Sequence, residues 1–270
     1  MGLFLELGTL CLLAGAIVAS VRFLVVPGID DLSHRLKLSI KARGQLLGYA
    51  TSTPELVIIV VSAASGVFDA GFWNIASSNI INWILFMTAV LYWKQLKELW
   101  HRPFSDELMV GMASVLIPLI LFATDAQGSL PLGIALIGLF VIYKWLDRKW
   151  NPVASTPSDA ADDYRGGPLK VIGLVAGIAV IILAGWKLGQ VAEELIIHLG
   201  ISSWIIGWIL GFVSSIPEMS GFFEVYRKHH QNSKLHGLED SQEALDSLVA
   251  SNMSNLCLIL PLGILVLTFT

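Results

Sequence analysis

The chain has 270 residues, a mean hydropathy of +0.71, 55% hydrophobic residues and only 14% charged ones. Soluble domains carry about 25% charged residues, so polar material is too scarce to cover a soluble surface, and a soluble enzyme, a disordered chain and a disulfide scaffold are excluded. The net charge of −4 offers nothing to nucleic acid. Cys11 and Cys257 lie far apart in apolar runs and read as free, buried thiols.

A membrane helix needs roughly 20 mostly apolar residues. Eight segments qualify, at about 3–26, 40–65, 72–93, 107–125, 128–146, 168–190, 201–225 and 246–269. The first is too long for a signal peptide and carries Glu6 where a basic start would stand. Loops 1–2, 3–4, 5–6 and 7–8 lie on one side and, with their flanks, hold every one of the 17 Lys and Arg residues except Lys187. That side is predicted to be cytoplasmic, with both termini outside, in a plasma-type (inner) membrane. Membrane lipids are then the surrounding partner. The polar stretch 147–167 reads as a cytoplasmic linker between a first unit, 1–146 with spans 1–5, and a second, shorter unit, 168–270 with spans 6–8.

The two units repeat one another. Gly48, Thr51, Ser52, Pro54 and Glu55 of span 2 recur 163 residues later as Gly211, Ser214, Ser215, Pro217 and Glu218 of span 7. Ser78, Asn79 and Asn82 of span 3 recur 173 residues later as Ser251, Asn252 and Asn255 of span 8. Five spans separate the copies, an odd number, so the repeats are inverted. Inverted repeats place a substrate site near the midplane, between interrupted helices of the two halves.

On a helix, Gly48, Thr51, Ser52 and Glu55 share one face, as do Gly211, Ser214, Ser215 and Glu218. Ser78 and Asn82 share a face of span 3, and Ser251 and Asn255 one of span 8. All donors are hydroxyl, amide or carboxylate oxygens, which suit hard cations such as sodium, calcium or magnesium. A charged side chain at mid-membrane costs roughly 2.5–3.5 kcal/mol on insertion scales, and two facing carboxylates also repel. A bound cation or a proton relieves both. Pro54 and Pro217 break the helices and deprive the carbonyls of Ala50 and Val213 of their helical partners. Ser and Thr in such spans commonly serve packing alone; the duplicated mid-span Pro-Glu pair is what argues for function.

These residues resemble the repeats of the cation/calcium exchanger superfamily, whose pattern is Gly-x-Gly-Thr-Ser-x-Pro-Glu-Leu followed by Gly-Asn-x-x-Gly-Ser-Asn-x-x-Asn, present twice. The resemblance implies an all-α membrane antiporter that exchanges Ca2+ for Na+ without a cofactor. Glu55 and Glu218 would be the central ligands. Thr51, Ser52, Ser78, Ser214, Ser215 and Ser251 would add hydroxyls or carbonyls, Gly48 and Gly211 backbone carbonyls, and Asn82 and Asn255 the middle of the site. Spans 1 and 6 would slide as a gating pair. The pattern departs from the family at Ala50, Val213 and Ser247, and two flanking helices of the second repeat are missing from a ten-span plan; a homodimer or a partner protein is the expected replacement. Proton or potassium coupling, and a cation-binding sensor or scaffold without transport, remain open alternatives. His229, His230 and His236 in the 7–8 loop are candidate regulatory residues, although a solvated basic loop explains them as well.

Overall fold

A computed structural model describes residues 2–101, 104–150, 168–197, 200–231 and 238–270. Helix α1 (Gly2–Ser20) passes through a π-helical turn (Val21–Val25) into α2 (Val26–Arg35). Helices α3 (Ile40–Thr51) and α4 (Thr53–Ala64) form one interrupted span, followed by α5 (Phe68–Tyr92), α6 (Ser105–Ala123), α7 (Leu130–Trp150) and α8 (Pro168–Ile197). Helices α9 (Ser203–Ser214) and α10 (Ile216–Gln231) form the second interrupted span. Helix α11 (Leu238–Ser254) continues through another π-helical turn (Asn255–Ile259) into α12 (Leu260–Phe269). Together they make eight units long and apolar enough to cross a membrane, as the hydropathy predicts.

Proline accounts for the irregularities. It lacks an N–H and its ring presses on the carbonyl four residues back. Pro54 and Pro217 stand just inside α4 and α10, and the breaks fall at Ser52 and Ser215, matched positions of the repeat. Pro27 and Pro261 each follow a π-helical turn, a wide turn that absorbs the misfit. Pro118 lies within α6 and releases the carbonyl of Ser114, which accepts the Asn79 amide of α5 at 3.0 Å.

Several boundaries move outward from the sequence expectation. Span 1 continues to Arg35, span 6 to Ile197, and span 8 begins at Leu238. Hydropathy drops where charges begin, but spans 1 and 8 continue because Asp30, Arg35 and Glu243 find partners. Asp147, assigned by composition to the linker, is helical, buried and ion-paired with Lys41 of α3. Residues 151–167 of that linker lie outside the described residues. Cys257 is buried but Cys11 is exposed: an apolar run in a membrane helix also has a face for lipid.

Two pairs of helices cross most tightly, α3 with α11 and α5 with α9, and glycine makes both approaches. A Cβ on Gly48 would strike the carbonyl of Ser247 and lie 2.9 Å from the backbone nitrogen of Ser251. A Cβ on Gly211 would strike the Ser77 hydroxyl and lie 2.9 Å from the carbonyl of Asn74 and 3.0 Å from the nitrogen of Ser78. Ser247 and Ser251 are the repeat counterparts of Asn74 and Ser78, so the two crossings are one contact made twice. Because backbone atoms stand among the neighbours at both positions, Gly48→Ala and Gly211→Ala should each lose most of the folded protein in detergent. Gly138, with open space around it, should tolerate alanine at the wild-type melting temperature; equal stability of all three variants would contradict the crossing geometry.

Candidate cation site

The two helix breaks meet α5 and α11 in the middle of the bundle. Each break points a helix N-terminus inward, with Glu55 and Glu218 in the first turn of α4 and α10. There the aligned peptide dipoles favour negative charge. Both carboxylates are shut away from solvent, at 0% and 1% exposure. They lie within electrostatic reach of one another.

The surrounding atoms are oxygens and amides drawn from four spans. The Ser251 hydroxyl donates to Glu218 Oε1 at 3.3 Å and pairs with the Ser52 hydroxyl at 2.9 Å. The Asn82 amide donates to Ser251 Oγ at 3.4 Å and to Asn252 Oδ1 at 3.1 Å. Ser214 donates to Asn74 Oδ1 at 3.2 Å, and Ser215 to the carbonyl of Ser78 at 3.5 Å. Thr51 faces Glu218, and Ser78 and Ser214 face Glu55. Neither oxygen of Glu55 receives a hydrogen bond, nor do Glu218 Oε2, Asn82 Oδ1 and Asn255 Oδ1. These five buried acceptor atoms lack donors, a shortage that a positive charge would relieve.

Every site residue expected from the repeat is therefore buried in this region, with two qualifications. The carbonyl of Gly48 is already engaged by the hydroxyls of Ser52 at 2.9 Å and Thr51 at 3.1 Å, and Gly48 and Gly211 serve visibly as crossing points. The carbonyl of Ala50 is not free, because the Thr53 hydroxyl takes it at 2.8 Å. The counterpart of Thr53 is Ile216, so Val213 lacks that donor.

Three residues absent from the expected ligand set take part: Asn74, Asn79 and Asn252, all at 0% exposure. Asn79 and Asn252 recur at the 173-residue offset, a signal already present in the repeat. A second unexpected feature is a set of charges at the end of the bundle that holds the basic loops. Asp30 pairs with Arg43 at 2.7 Å and also with Lys228; Arg43 pairs with Glu243 at 3.0 Å. Lys41 pairs with Asp147 and lies 3.8 Å from Glu107. These pairs join the start of span 2 to the end of span 7, so the two interrupted spans run in opposite directions, as inverted repeats require. His229 contacts Glu243 at 3.2 Å and His230 lies against the Trp93 ring at 5.3 Å; His236 lies outside the described residues. Among the described residues no three His, Cys, Asp or Glu side chains converge as a metal site.

Helical spans, opposed helix breaks and an oxygen-lined centre with two carboxylates define an integral, multi-pass membrane protein that handles hard cations. The sequence profile of the family described as "Sodium/calcium exchanger protein" matches residues 6–146 and 169–270. The chain belongs to that family, and is a cation/calcium antiporter rather than an enzyme. Its fold is similar to that of the sodium-calcium exchanger NCX_Mj. Against that protein soaked with 10 mM Na+ and zero Ca2+, the TM-score is 0.57 at 20% identity, covering 98% of this chain and 84% of that one. Against the form soaked with 2.5 mM Na+ and 10 mM Sr2+ the TM-score is 0.55, again at 20% identity, covering 98% and 83%. A candidate antiporter, CaxA of Alkalimonas amylolytica, is 23% identical over 255 residues, covering 89% of this chain and 75% of that one.

The ion pairs supply a stability test. Glu243 is 2% exposed, and removing the partner of a buried charge costs about 3–5 kcal/mol. Arg43→Met should therefore lower the melting temperature markedly. Arg227→Met removes a half-exposed arginine paired with Glu224, an interaction class worth about 0–1 kcal/mol, and should leave it nearly unchanged. Equal shifts would refute the buried network.

Proposed function

We propose that this antiporter exchanges Ca2+ for Na+ by alternating access, with Glu55 and Glu218 as the shared ligands. The observation that carries this reading is the Glu55 carboxylate, fully buried with neither oxygen hydrogen-bonded, in a centre whose formal charge is −2. One Ca2+ or two Na+ neutralise that charge. Calcium takes 6–8 oxygen ligands, a demand that the carboxylates, Asn82, Asn255 and the nearby serine hydroxyls are suited to meet.

Coupling follows from competition. Both ions need the same two carboxylates, so occupancy by one excludes the other. An empty centre leaves two like charges facing each other in a dry interior, which opposes movement of the unloaded protein. Movement itself falls to spans 1 and 6, because α1 and α2 pack along α8 while α8 packs on α4. This pair can slide past the ligand-bearing spans without disturbing the α3–α11 and α5–α9 crossings. The basic end is the cytoplasmic one under the positive-inside rule.

Proteoliposomes loaded with Na+ should take up labelled Ca2+, while those loaded with choline should not. Glu55→Gln and Glu218→Gln should each reduce uptake at least about a hundredfold with normal protein yield, since each removes charge from the centre that both ions share. Near-normal uptake in both variants would sink the site assignment. Uptake driven only by a proton gradient would replace Na+ by H+ as the coupling ion.

A further inference from the structure

Asn79 and Asn252 occupy the centre of the α5–α11 contact and are bound to each other in a crossed pair. Asn79 Nδ2 donates to the backbone carbonyl of Asn252 at 3.2 Å, and Asn252 Nδ2 donates to the backbone carbonyl of Asn79 at 3.1 Å. A backbone carbonyl can only accept, so each nitrogen must face the carbonyl of the other residue. The assignment of amide nitrogen and oxygen, ordinarily a choice, is here imposed by chemistry. For Asn79 a second carbonyl, that of Ser114, enforces it. That carbonyl is available because Pro118, four residues on, has no N–H to give it.

With the nitrogens fixed, the side-chain oxygens of Asn79 and Asn252 must turn the other way. There they accept the Nδ2 of Asn255 at 3.0 Å and of Asn82 at 3.1 Å. The orientation thus passes on to the two site amides. Asn82 and Asn255 spend a nitrogen on the crossed pair and are left presenting Oδ1 atoms that are buried and without donors. An amide turned the other way would put N–H groups where a cation belongs.

We infer that Asn79 and Asn252 are positioning residues for ion binding: anchored on backbone carbonyls, they fix the carboxamides of Asn82 and Asn255 so that both offer oxygen to the transported cation. This rests on the cation site described above. The residues act through Asn82 and Asn255 and need not touch the ion. They keep the centre at its charge of −2 while adding two neutral oxygen donors, which bears on affinity without adding repulsion to an empty site.

The test is Ca2+ binding to the full-length protein in detergent, measured by calorimetry beside the melting temperature of each variant. Binding by the wild type that is lost in Glu218→Gln establishes the site; its absence from the wild type, or its persistence in Glu218→Gln, overturns the site and this inference with it. Given the site, Asn82→Ala and Asn252→Ala should each weaken Ca2+ binding about tenfold, the scale seen when the outer partners of metal ligands are removed. The double variant should be no weaker than the worse single one, because Asn252 works through Asn82. Asn255→Ala with Asn79→Ala repeats the cycle in the other half. Wild-type affinity in Asn252→Ala and Asn79→Ala with a lowered melting temperature would mean a structural role only and overturn the inference, as would effects that multiply. Infrared difference spectra of wild-type protein labelled with carbonyl-13C asparagine test it without any variant that must fold. Added Ca2+ should shift asparagine side-chain carbonyl bands, and no shift would refute it.

Discussion

Two carboxylates held inside a membrane protein set the terms for everything around them. Glu55 and Glu218 cannot both be charged, dry and close without a cation, and water is not available to screen them. The surrounding structure reduces the cost without removing it. Proline breaks turn two helix N-termini toward the carboxylates, glycine crossings bring α11 and α5 near enough to contribute hydroxyls and amides, and the remaining donors are few. The centre is left short of positive charge. A bound hard cation would relieve that deficit, as would a proton.

The two halves share one plan but do not make identical surroundings for the two acids. Glu218 accepts a hydrogen bond from Ser251, whereas the hydroxyl of Ser78, the counterpart of Ser251, faces Glu55 but donates to the carbonyl of Ile75 at 3.4 Å. Thr53 satisfies the Ala50 carbonyl in one break, and Ile216 offers nothing to Val213 in the other. Asn74 receives the Ser214 hydroxyl, while its counterpart is Ser247. Glu55 is consequently the barer carboxylate.

Much of this was legible in the residues. Eight apolar segments, the side-by-side bias of Lys and Arg, and Pro-Glu repeated at a constant offset specify the spans, their inverted arrangement and the ten residues from Thr51 to Asn255 that gather in the centre. What the pattern could not show depends on atoms that meet only in three dimensions. Gly48 looks like a carbonyl ligand until Ser247 is found against its α-carbon. Asn79 and Asn252 are visible in the repeat, but their role lies in which backbone carbonyls their nitrogens reach. Asp147 reads as linker because hydropathy registers its charge and not the Lys41 beside it.

The charges at the basic end follow the same logic as those at the centre, graded by access to water. Lys41 and Asp147, at 14% and 9% side-chain exposure, tie α3 to α7, two helices that stay together in the proposed cycle. Asp30, Arg43 and Lys228, at 20%, 22% and 28%, tie α2 of the sliding span to α3 and α10. A buried pair that loses a partner costs about 3–5 kcal/mol. Fully exposed pairs are worth about 0–1 kcal/mol, and partly exposed ones lie between the two limits. The pairs made by α2 are the wetter of the two sets, which would ease their separation in the proposed cycle. Firmer ties between α3 and α7 and wetter ones to α2 would let the proposed sliding proceed without unfolding the bundle that holds the carboxylates.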